Sequence, residues 1–409
     1  MSIENPSREQ REQIIETVLQ TFEKRFYDPG LHGVDLRGIA QARRDELLAT
    51  DDFVGAIVAL LKETRAHPVD FFHESNRKVS FARLAKATLH PMNGGASPWI
   101  FQDVLVDGPA YQANVQPGAT LLGINGGELC AAAEPKLSAN APAVVQFRNP
   151  GAEPATFTVE PPLPGAKKKR DTTRYLTFSR PEPTVGYIRI SMFPGILGID
   201  IAKATDHAIR SLNGAKSLIV DLRGNLGSAG AGNLRLMSYL TPGKIPVGYS
   251  LTRRRAEQGY RREELIRFER VPSHKLLAPF ALWRFRKVDR SIVVVTEGLG
   301  RQPFHGRIVL LVNEHTISGA EIVAGFATDH KLATIVGSGT AGKLLAWAPL
   351  PVGCGYSMTI PTGNYLTWEG KSFEGVGVMP NVDLPFLPNG VSDGVDHQLS
   401  AAIKAAKGM

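Results

Sequence analysis

The sequence predicts an α/β core with buried parallel strands, preceded by a helical region and a small β-rich module. Two changes of pattern along the chain support this division. Apolar residues recur at helical spacing up to about residue 88, and short strand-like runs separated by turn residues follow from about residue 98. After residue 184, short apolar runs alternate with helical patterns, which is typical of a sheet of parallel strands covered by helices.

The N-terminal region, residues 1–88, is predicted to be helical. Its clearest element covers residues 7–27, where Ser7 and Gln10 fit a capping box and apolar residues recur at helical spacing. The turn residues Asp28-Pro29-Gly30 then end this helix.

The next region, residues 89–165, is predicted to be the small β-rich module. A basic, proline-containing stretch after it, with Lys167 to Arg170 at its centre, reads as a solvated linker. The predicted elements are the strand WIFQDVLV, a short helix PAYQAN after the turn Asp107-Gly108-Pro109, and the strands LLGINGGEL, AVVQFRNPG and ATFTVEPPLP.

The third region, residues 175–409, is predicted to be the α/β core. Residues 250–305 are rich in arginine and aromatic residues without clear periodicity, so they read as an insertion or cap. The predicted core elements are the strands VGYIRI, SLIVDLR, IVLLVN and ATIVG and the helices GIDIAKATDHAIRSL and SGAEIVAGFATDH.

The composition excludes several classes of function. The chain has 409 residues, 43% of them hydrophobic and 21% charged, as is usual for globular proteins. Its two cysteines, Cys130 and Cys354, are too few for a disulfide framework and lie in no zinc-ligand spacing, so neither metal nor cofactor is expected. The net charge of +8 has no nucleic-acid-binding motif beside it, so no nucleic-acid partner is expected.

The chain shows no apolar run of the roughly 18 residues that a spanning helix needs, so no transmembrane segment is expected. Its first residues, MSIENPSREQREQ, lack the pattern of a secretory signal. We therefore expect a cytoplasmic protein as the sequence is given, or a periplasmic one if a signal peptide has been removed.

Three predicted strands of the core end in unusual loops. In the first, SLIVDLR runs into Gly224-Asn225-Leu226-Gly227. Glycines at a strand end let backbone N–H groups approach a developing oxyanion. We expect the N–H of Gly227 to serve in this way and Asn225 to order the loop. The structural alternative is a tight turn in which Asp221 and Arg223 pair.

In the second loop, IVLLVN passes into a helix that begins at or beside Ser318. A serine at a helix N-terminus suits nucleophilic chemistry, because free N–H groups and the positive end of the helix dipole lie beside it. The N–H of the next residue, Gly319, is then a second candidate oxyanion donor. The structural alternative is that Ser318 and Glu321 form only a capping box.

The third loop carries Lys343. Gly337, Gly342 and Lys343 match the phosphate-loop spacing G-x-x-x-x-G-K, which would indicate an NTPase. However, Leu344 stands where that motif needs a serine or threonine, and the prolines after it prevent a long helix. The lysine is therefore available for another role.

Together, the segments VGYIRISMF with LIVDLRGN, VLLVNEHTISGAEIVAG, and TIVGSGTAGK with FEGVGVMPNV resemble the C-terminal processing peptidases, also called tail-specific proteases, and the related tricorn protease core. The resemblance covers residues 184–385. It implies a core of the ClpP/crotonase-like type, Ser318 as nucleophile and Lys343 as general base. The implied partner is a peptide or unfolded protein substrate, and a homo-oligomer is left open.

A lysine can take a proton from serine only when burial has lowered its pKa by several units. The apolar residues Leu344, Leu345 and Trp347 are the expected surround of Lys343.

This chain departs from the family pattern at Trp347, where the processing peptidases carry a glutamine that orients the lysine. Tricorn-type sites instead use a histidine and a glutamate with the serine, and Glu374 is the residue that matches the glutamate. No histidine is assigned to that role; His67, His73 and His90 lie upstream of the core. Two alternatives therefore stay open: a Ser-His-Glu peptidase, or an inactive peptide- or ligand-binding scaffold on the same fold.

The β-rich module resembles a bacterial PDZ domain, whose groove binds a peptide C-terminus by strand addition. The resemblance rests on FQDVLVDGPAYQANVQPGATLLGINGGEL. Asn93-Gly94-Gly95 are the residues available for a carboxylate-binding loop.

Overall fold

The computed structural model describes residues 5–92, 98–162, 175–194, 198–227, 231–277, 279, 283, 291–299, 304–388 and 394–408. No helix within these ranges is both long and apolar enough to cross a membrane. The α-helices in these ranges are α1 (Arg8–Arg25), α2 (Leu36–Ala42), α3 (Arg44–Ala49), α4 (Phe53–Lys62), α5 (Phe81–Ala85), α6 (Pro109–Gln112), α7 (Ile199–Ser211), α8 (Leu234–Leu240), α9 (Arg253–Gln258), α10 (Gly319–Asp329) and α11 (His397–Lys407).

Within the same ranges, the strands form two six-stranded sheets, a five-stranded sheet and a two-stranded ribbon. They are β1 (Asp70–His73), β2 (Lys78–Ser80), β3 (Ala87–Pro91), β4 (Trp99–Val104), β5 (Thr120–Ile124), β6 (Lys136–Ser138), β7 (Ala143–Arg148), β8 (Ala155–Val159), β9 (Leu176–Glu182), β10 (Val185–Ile190), β11 (Ser217–Asp221), β12 (Pro246–Thr252), β13 (Ile266–Phe268), β14 (Ile292–Val295), β15 (Arg307–Val312), β16 (Thr334–Gly337), β17 (Ala346–Gly353), β18 (Tyr356–Thr367) and β19 (Val382–Asp383).

One six-stranded sheet is mostly parallel, with the order β19-β16-β15-β11-β10-β9. Strands β10, β11, β15, β16 and β19 pair in parallel, and β9 pairs antiparallel with β10 at the edge. All five residues of β11 are buried, as expected for a strand covered on both faces. The predicted strands VGYIRI, SLIVDLR, IVLLVN and ATIVG are therefore confirmed.

Helices cover both faces of this parallel sheet. Because side chains alternate along a strand, Leu310 of β15 packs with Ala324 of α10 on one face, together with residues of α7 and α8. Val309 of the same strand packs with Ala402 of α11 on the other face. Full burial of a side chain such as Val309 or Leu310 contributes about 1.5–3 kcal/mol of hydrophobic stabilisation, so the sheet is a rigid support for the loops that leave it.

The second six-stranded sheet corrects two expectations. Its order is β1-β18-β12-β14-β13, with β17 also paired to β18. The described part of residues 250–305 is therefore not a separate cap, because the strands β13 and β14 continue this sheet beside β12. The region 1–88 is not helical throughout, because β1 pairs antiparallel with β18. The N-terminal helices also share a hydrophobic core with β17 and β18.

The five-stranded sheet has the antiparallel order β3-β4-β5-β7-β8 and encloses its own hydrophobic core. The short helix α6 begins at Pro109, whose ring suits the first position of a helix. The strands and helix predicted for this module are confirmed. Both Asn93-Gly94-Gly95 and the basic run Lys167 to Arg170 lie outside the described residues.

Candidate active site

Three loops meet at the carboxyl edge of the parallel sheet. Strands β11, β15 and β16 are neighbours and run in the same direction, so the chain leaves all three at one edge. The loop after β11 carries Asn225 and Gly227, the loop after β15 ends at Ser318, and the loop after β16 carries Lys343. The sheet therefore brings together the residues that the three sequence segments predicted.

Ser318 is the N-cap residue of α10 and has φ 54° and ψ −117°. A positive φ is unusual for a non-glycine residue, and such backbone strain is held in place by surrounding structure. Here Thr316, two residues earlier, donates its hydroxyl to the carbonyl of Leu222 at 2.9 Å. The sharp turn places Ser318 beside the free N–H groups of the first turn of α10.

Backbone hydrogen bonds join the loop after β15, called here the nucleophile loop because it ends at Ser318, to the loop after β16, called here the lysine loop because it carries Lys343. The N–H of Ser318 donates to the carbonyl of Lys343 at 3.1 Å, and the N–H of Ala341 donates to the carbonyl of Thr316 at 3.1 Å. The two loops therefore form one junction, defined here by Thr316 to Ser318 and Ala341 to Lys343.

The side chain of Lys343 points into solvent, which corrects the expected apolar surround. Leu344 and Leu345 are buried, whereas Lys343 itself is exposed. Trp347 is 45% exposed, with the guanidinium of Arg83 6.0 Å from its ring centroid. In this conformation, therefore, Lys343 is not desolvated.

Glu321 connects Ser318 to the lysine loop and is fully buried. Its Oε1 accepts from the hydroxyl of Thr340 at 2.7 Å and from the N–H of Gly342 at 2.6 Å. Its Oε2 accepts from the N–H groups of Lys343 at 2.8 Å and Ser318 at 2.9 Å. Burial raises the pKa of Glu321, and these hydrogen bonds oppose that rise.

The role of Glu321 as a bridge was missed by sequence reasoning. The S-x-x-E pattern predicted a capping box, which the structure contains. Nothing in that local pattern indicates that the same carboxylate reaches a loop about 20 residues further along the chain.

Glu374 binds the two residues of the lysine loop that follow Lys343. Its Oε2 accepts from the N–H groups of Leu344 at 2.6 Å and Leu345 at 3.0 Å. Burial raises the pKa of Glu374, and the two N–H groups oppose the rise. Four consecutive N–H groups, from Gly342 to Leu345, are thus donated to two carboxylates. These are the groups that would cradle a phosphate, so the phosphate-loop interpretation has no support from the geometry.

The loop after β11 packs directly on the nucleophile. Gly227 has φ 68°, and a Cβ atom at that position would lie 2.7 Å from the Cβ of Ser318. Asn225 is buried and donates its side-chain N–H to the carbonyl of Ile190 at 2.6 Å. Its own carbonyl accepts from the N–H of Ile317 at 3.2 Å.

The expectation that Gly227 presents a free N–H is corrected by the same loop. That N–H donates to Oδ1 of Asn225 at 2.9 Å. It is therefore not directed at a substrate oxygen in this conformation. The N–H of Gly319, at the first position of α10, remains the candidate donor.

Asp221 and Arg223 pair, as the structural alternative for this loop anticipated. Their side chains meet at 2.7 Å, and Arg223 also binds Asp396 at 2.8 Å, before α11. Burial alone would raise the pKa of Asp221, but the guanidinium groups of Arg223 and Arg189 hold that pKa at about 2. This ion pair anchors the loop to the C-terminal helix.

Residues 184–384 match the sequence profile of Peptidase family S41. This part of the chain is therefore a peptidase family S41 domain. The chain is also similar to carboxyl-terminal-processing proteases, with 26% identity over 316 residues to one from Synechocystis sp. and over 284 residues to one from Bartonella bacilliformis. The alignments cover 74% and 68% of this chain, but only 64% and 56% of those relatives.

Solved structures show the same fold. The photosystem II D1 C-terminal processing protease aligns over 98% of both chains, with a TM-score of 0.57 and 16% identity. Mature CPAF aligns over 97% of both chains, with a TM-score of 0.56 and 14% identity. At such identities the comparison establishes the fold and leaves the chemistry to the site residues.

Proposed function

We propose that this chain is a serine peptidase that cleaves unstructured or C-terminal segments of proteins. Ser318 attacks the scissile carbonyl, and Lys343 takes the proton from its hydroxyl. One observation carries the proposal: inside an S41 domain, the strained Ser318 begins α10 with its N–H bonded to the carbonyl of Lys343. The printed names of the curated relatives support the substrate class.

The proposed catalytic steps use these groups in turn. The exposed Lys343 side chain turns towards Ser318 when a peptide covers the junction and excludes water from it. The developing oxyanion accepts from the N–H of Gly319, and one such donor is worth about 3–4 kcal/mol in the transition state. Gly227 supplies a second donor only when its bond to Asn225 opens.

A Ser-His-Glu arrangement is the second candidate, and His67 is the histidine it would use. Burial lowers the pKa of His67, and the positive charges of Lys343 and Lys62 lower it further. A neutral imidazole is the form that accepts a proton. Glu374 would then support the base as well as the loop.

The finer architecture is also proposed. The parallel sheet with helices on both faces supports a core of the ClpP/crotonase-like type. The order of the five-stranded sheet, with α6 between β4 and β5, supports a PDZ-like module at residues 89–165 that binds peptide by strand addition. The region 175–409 is the proposed peptidase core, which β1 joins from the N-terminal region.

Labelling by a fluorophosphonate, followed by mapping of the modified residue, tests the nucleophile. We expect the wild type and Ser211→Ala, which changes an exposed serine, to be labelled at Ser318, and Ser318→Ala to be unlabelled. Cleavage of a protein with an unstructured C-terminal tail tests the base. Lys343→Met should abolish cleavage, whereas His67→Gln and the exposed control His207→Gln should retain it.

The opposite results identify the alternatives. Loss of cleavage in His67→Gln but not in Lys343→Met would assign the base to His67. Cleavage retained in both Ser318→Ala and Lys343→Met would overturn the proposal. Peptide binding with neither labelling nor turnover between about pH 6 and 10 would identify a binding scaffold.

A further inference from the structure

A cavity of about 340 Å³ lies between the five-stranded sheet and the parallel sheet, and neither Ser318 nor Lys343 lines it. Small-ligand sites commonly have volumes of about 300–1,000 Å³. Gln102 of β4 and Arg189 of β10 line it from the two sheets, and Asp396 to Gln398 line it at the start of α11. Both sheets and a helix N-terminus therefore meet around one partly open cavity.

Gln102 is the residue in this cavity whose hydrogen-bonding capacity is unused. It is 4% exposed, and neither its Oε1 nor its Nε2 has a hydrogen-bond partner. Buried amides in proteins nearly always have partners, so such an orphan needs an explanation. A side chain with two donors and one acceptor at the wall of a cavity can take its partners from a molecule inside.

Arg189 is the second incompletely used group. Within the described residues its side chain makes one hydrogen bond, from Nη2 to Oδ1 of Asp103 at 3.4 Å. This is longer than the roughly 2.7–2.9 Å usual for charged pairs. Asp103 is otherwise occupied, because its Oδ2 accepts from Thr88 at 2.8 Å and from Asn313 at 2.9 Å. The guanidinium of Arg189 therefore has N–H donors available for a planar acceptor with two oxygens, such as a carboxylate.

The remaining walls define the rest of the ligand. The carboxylate of Asp396 accepts hydrogen bonds from the guanidinium of Arg223 and from the N–H of Leu399. Its negative charge is therefore shared between Arg223 and the positive end of the helix dipole, and it does not neutralise the helix N-terminus completely. Pro117, Phe386 and Val395 make much of the lining apolar. A fitting molecule carries an anionic group, a neighbouring hydrogen-bonding group and a small apolar body.

We propose that this cavity binds a carboxylate attached to a small apolar body, with the carboxylate on Arg189 and an adjacent amide or carbonyl on Gln102. Such a group occurs at the chain end of a peptide and in a free amphipathic carboxylic acid. A bound molecule would bridge β4 and β10 and so strengthen the contact between the five-stranded sheet and the peptidase core. The site is separate from the one proposed for catalysis.

Isothermal titration calorimetry on Ser318→Ala, which cannot consume a peptide through that serine, tests the proposal. The probes are N-acetyl-alanyl-valine, the same compound with a C-terminal amide, and pentanoate. We expect the peptide acid to bind about tenfold or more tightly than its amide, because a charged bidentate contact is lost. Equal binding of pentanoate would identify a free carboxylic acid as the source, and its weaker binding would identify a peptide end.

A pair of variants in the same Ser318→Ala background locates the binding. Gln102→Met conserves volume and removes the amide, while Gln146→Met changes an exposed glutamine of the same sheet. We expect Gln102→Met to lose about tenfold in affinity. Its unliganded thermal midpoint should not fall, because the change removes an unpartnered buried amide. Equal binding by both variants would overturn the proposal. Absence of binding of every probe at ~10 mM would also overturn it, because the cavity would then hold water only.

Discussion

The backbone N–H of Ser318 donates a hydrogen bond of 3.1 Å to the carbonyl of Lys343, so the proposed nucleophile and base belong to one hydrogen-bonded junction. Glu321 closes this junction by accepting from the N–H groups of both residues. Glu374 holds the two residues that follow Lys343. Activity should therefore depend on acceptors that take no part in the chemistry themselves.

Glu321→Gln should lower kcat about a hundredfold, because misplacing catalytic groups by about 1 Å has an effect of that size. An amide has one acceptor oxygen, so its NH₂ group would face two of the four donors that Glu321 now satisfies. Peptidase kinetics should show a lower kcat with little change in KM. Glu369→Gln, at an exposed position, is the matched control. Full activity in Glu321→Gln would contradict the bridging role.

Activity and stability should respond to acidic pH in opposite directions. Burial raises the pKa of Glu321 and of Glu374 above the usual value of 4.5. As pH falls through the raised pKa, the carboxylates gain protons and lose acceptors, so the acidic limb of the activity profile should have its midpoint above 4.5. The stability contributed by these groups is present below about pH 4.5 and lost as pH rises through the folded pKa. Urea unfolding across this range, compared with Glu321→Gln, measures the second effect.

Gly227→Ala should abolish activity. A Cβ atom there would lie 2.7 Å from the Cβ of Ser318, so the nucleophile must move. Gly214→Ala is the control, because Gly214 also has a positive φ, of 85°, but a Cβ there meets nothing within 4 Å. Both changes should cost about 1–2 kcal/mol of stability for the left-handed backbone. Only Gly227→Ala should lose turnover, and equal turnover would show that the contact is tolerated.

Asp221→Asn should destabilise the fold by about 3 kcal/mol at neutral pH, because it removes the buried partner of Arg223 and leaves that guanidinium only the partly exposed Asp396. The pKa of Asp221 is lowered to about 2 from 3.8. Its stabilising contribution is therefore present above about pH 4 and lost as pH falls towards 2. Denaturation curves should show this slope for the wild type and a weaker one for the variant. Glu16→Gln, which breaks a surface pair with Arg37, should cost less than about 1 kcal/mol.

The parallel sheet could be predicted because its strands are local, continuous apolar runs. SLIVDLR and IVLLVN each bury both faces and therefore carry the signal in their own residues. Strands β1 and β12 were missed as members of a sheet, because each pairs with β18, which lies far away along the chain. Strands β13 and β14 join the same sheet through β12. The pairing of Asp70 with Thr359 depends on that distant strand and leaves no pattern in either segment alone.

The sequence by itself determined the strands of the parallel sheet, the capping box at Ser318 and the motifs that relate this chain to the S41 peptidases, because each depends on neighbouring residues. Only the tertiary structure decided how the loops use their polar groups. It directs the carboxylate of Glu321 to Lys343, the N–H of Gly227 to Asn225, and the side chain of Lys343 into solvent. The reason is physical: a hydrogen bond between distant loops depends on where the sheet brings two chain segments together, and the spacing of residues along the chain does not contain that information.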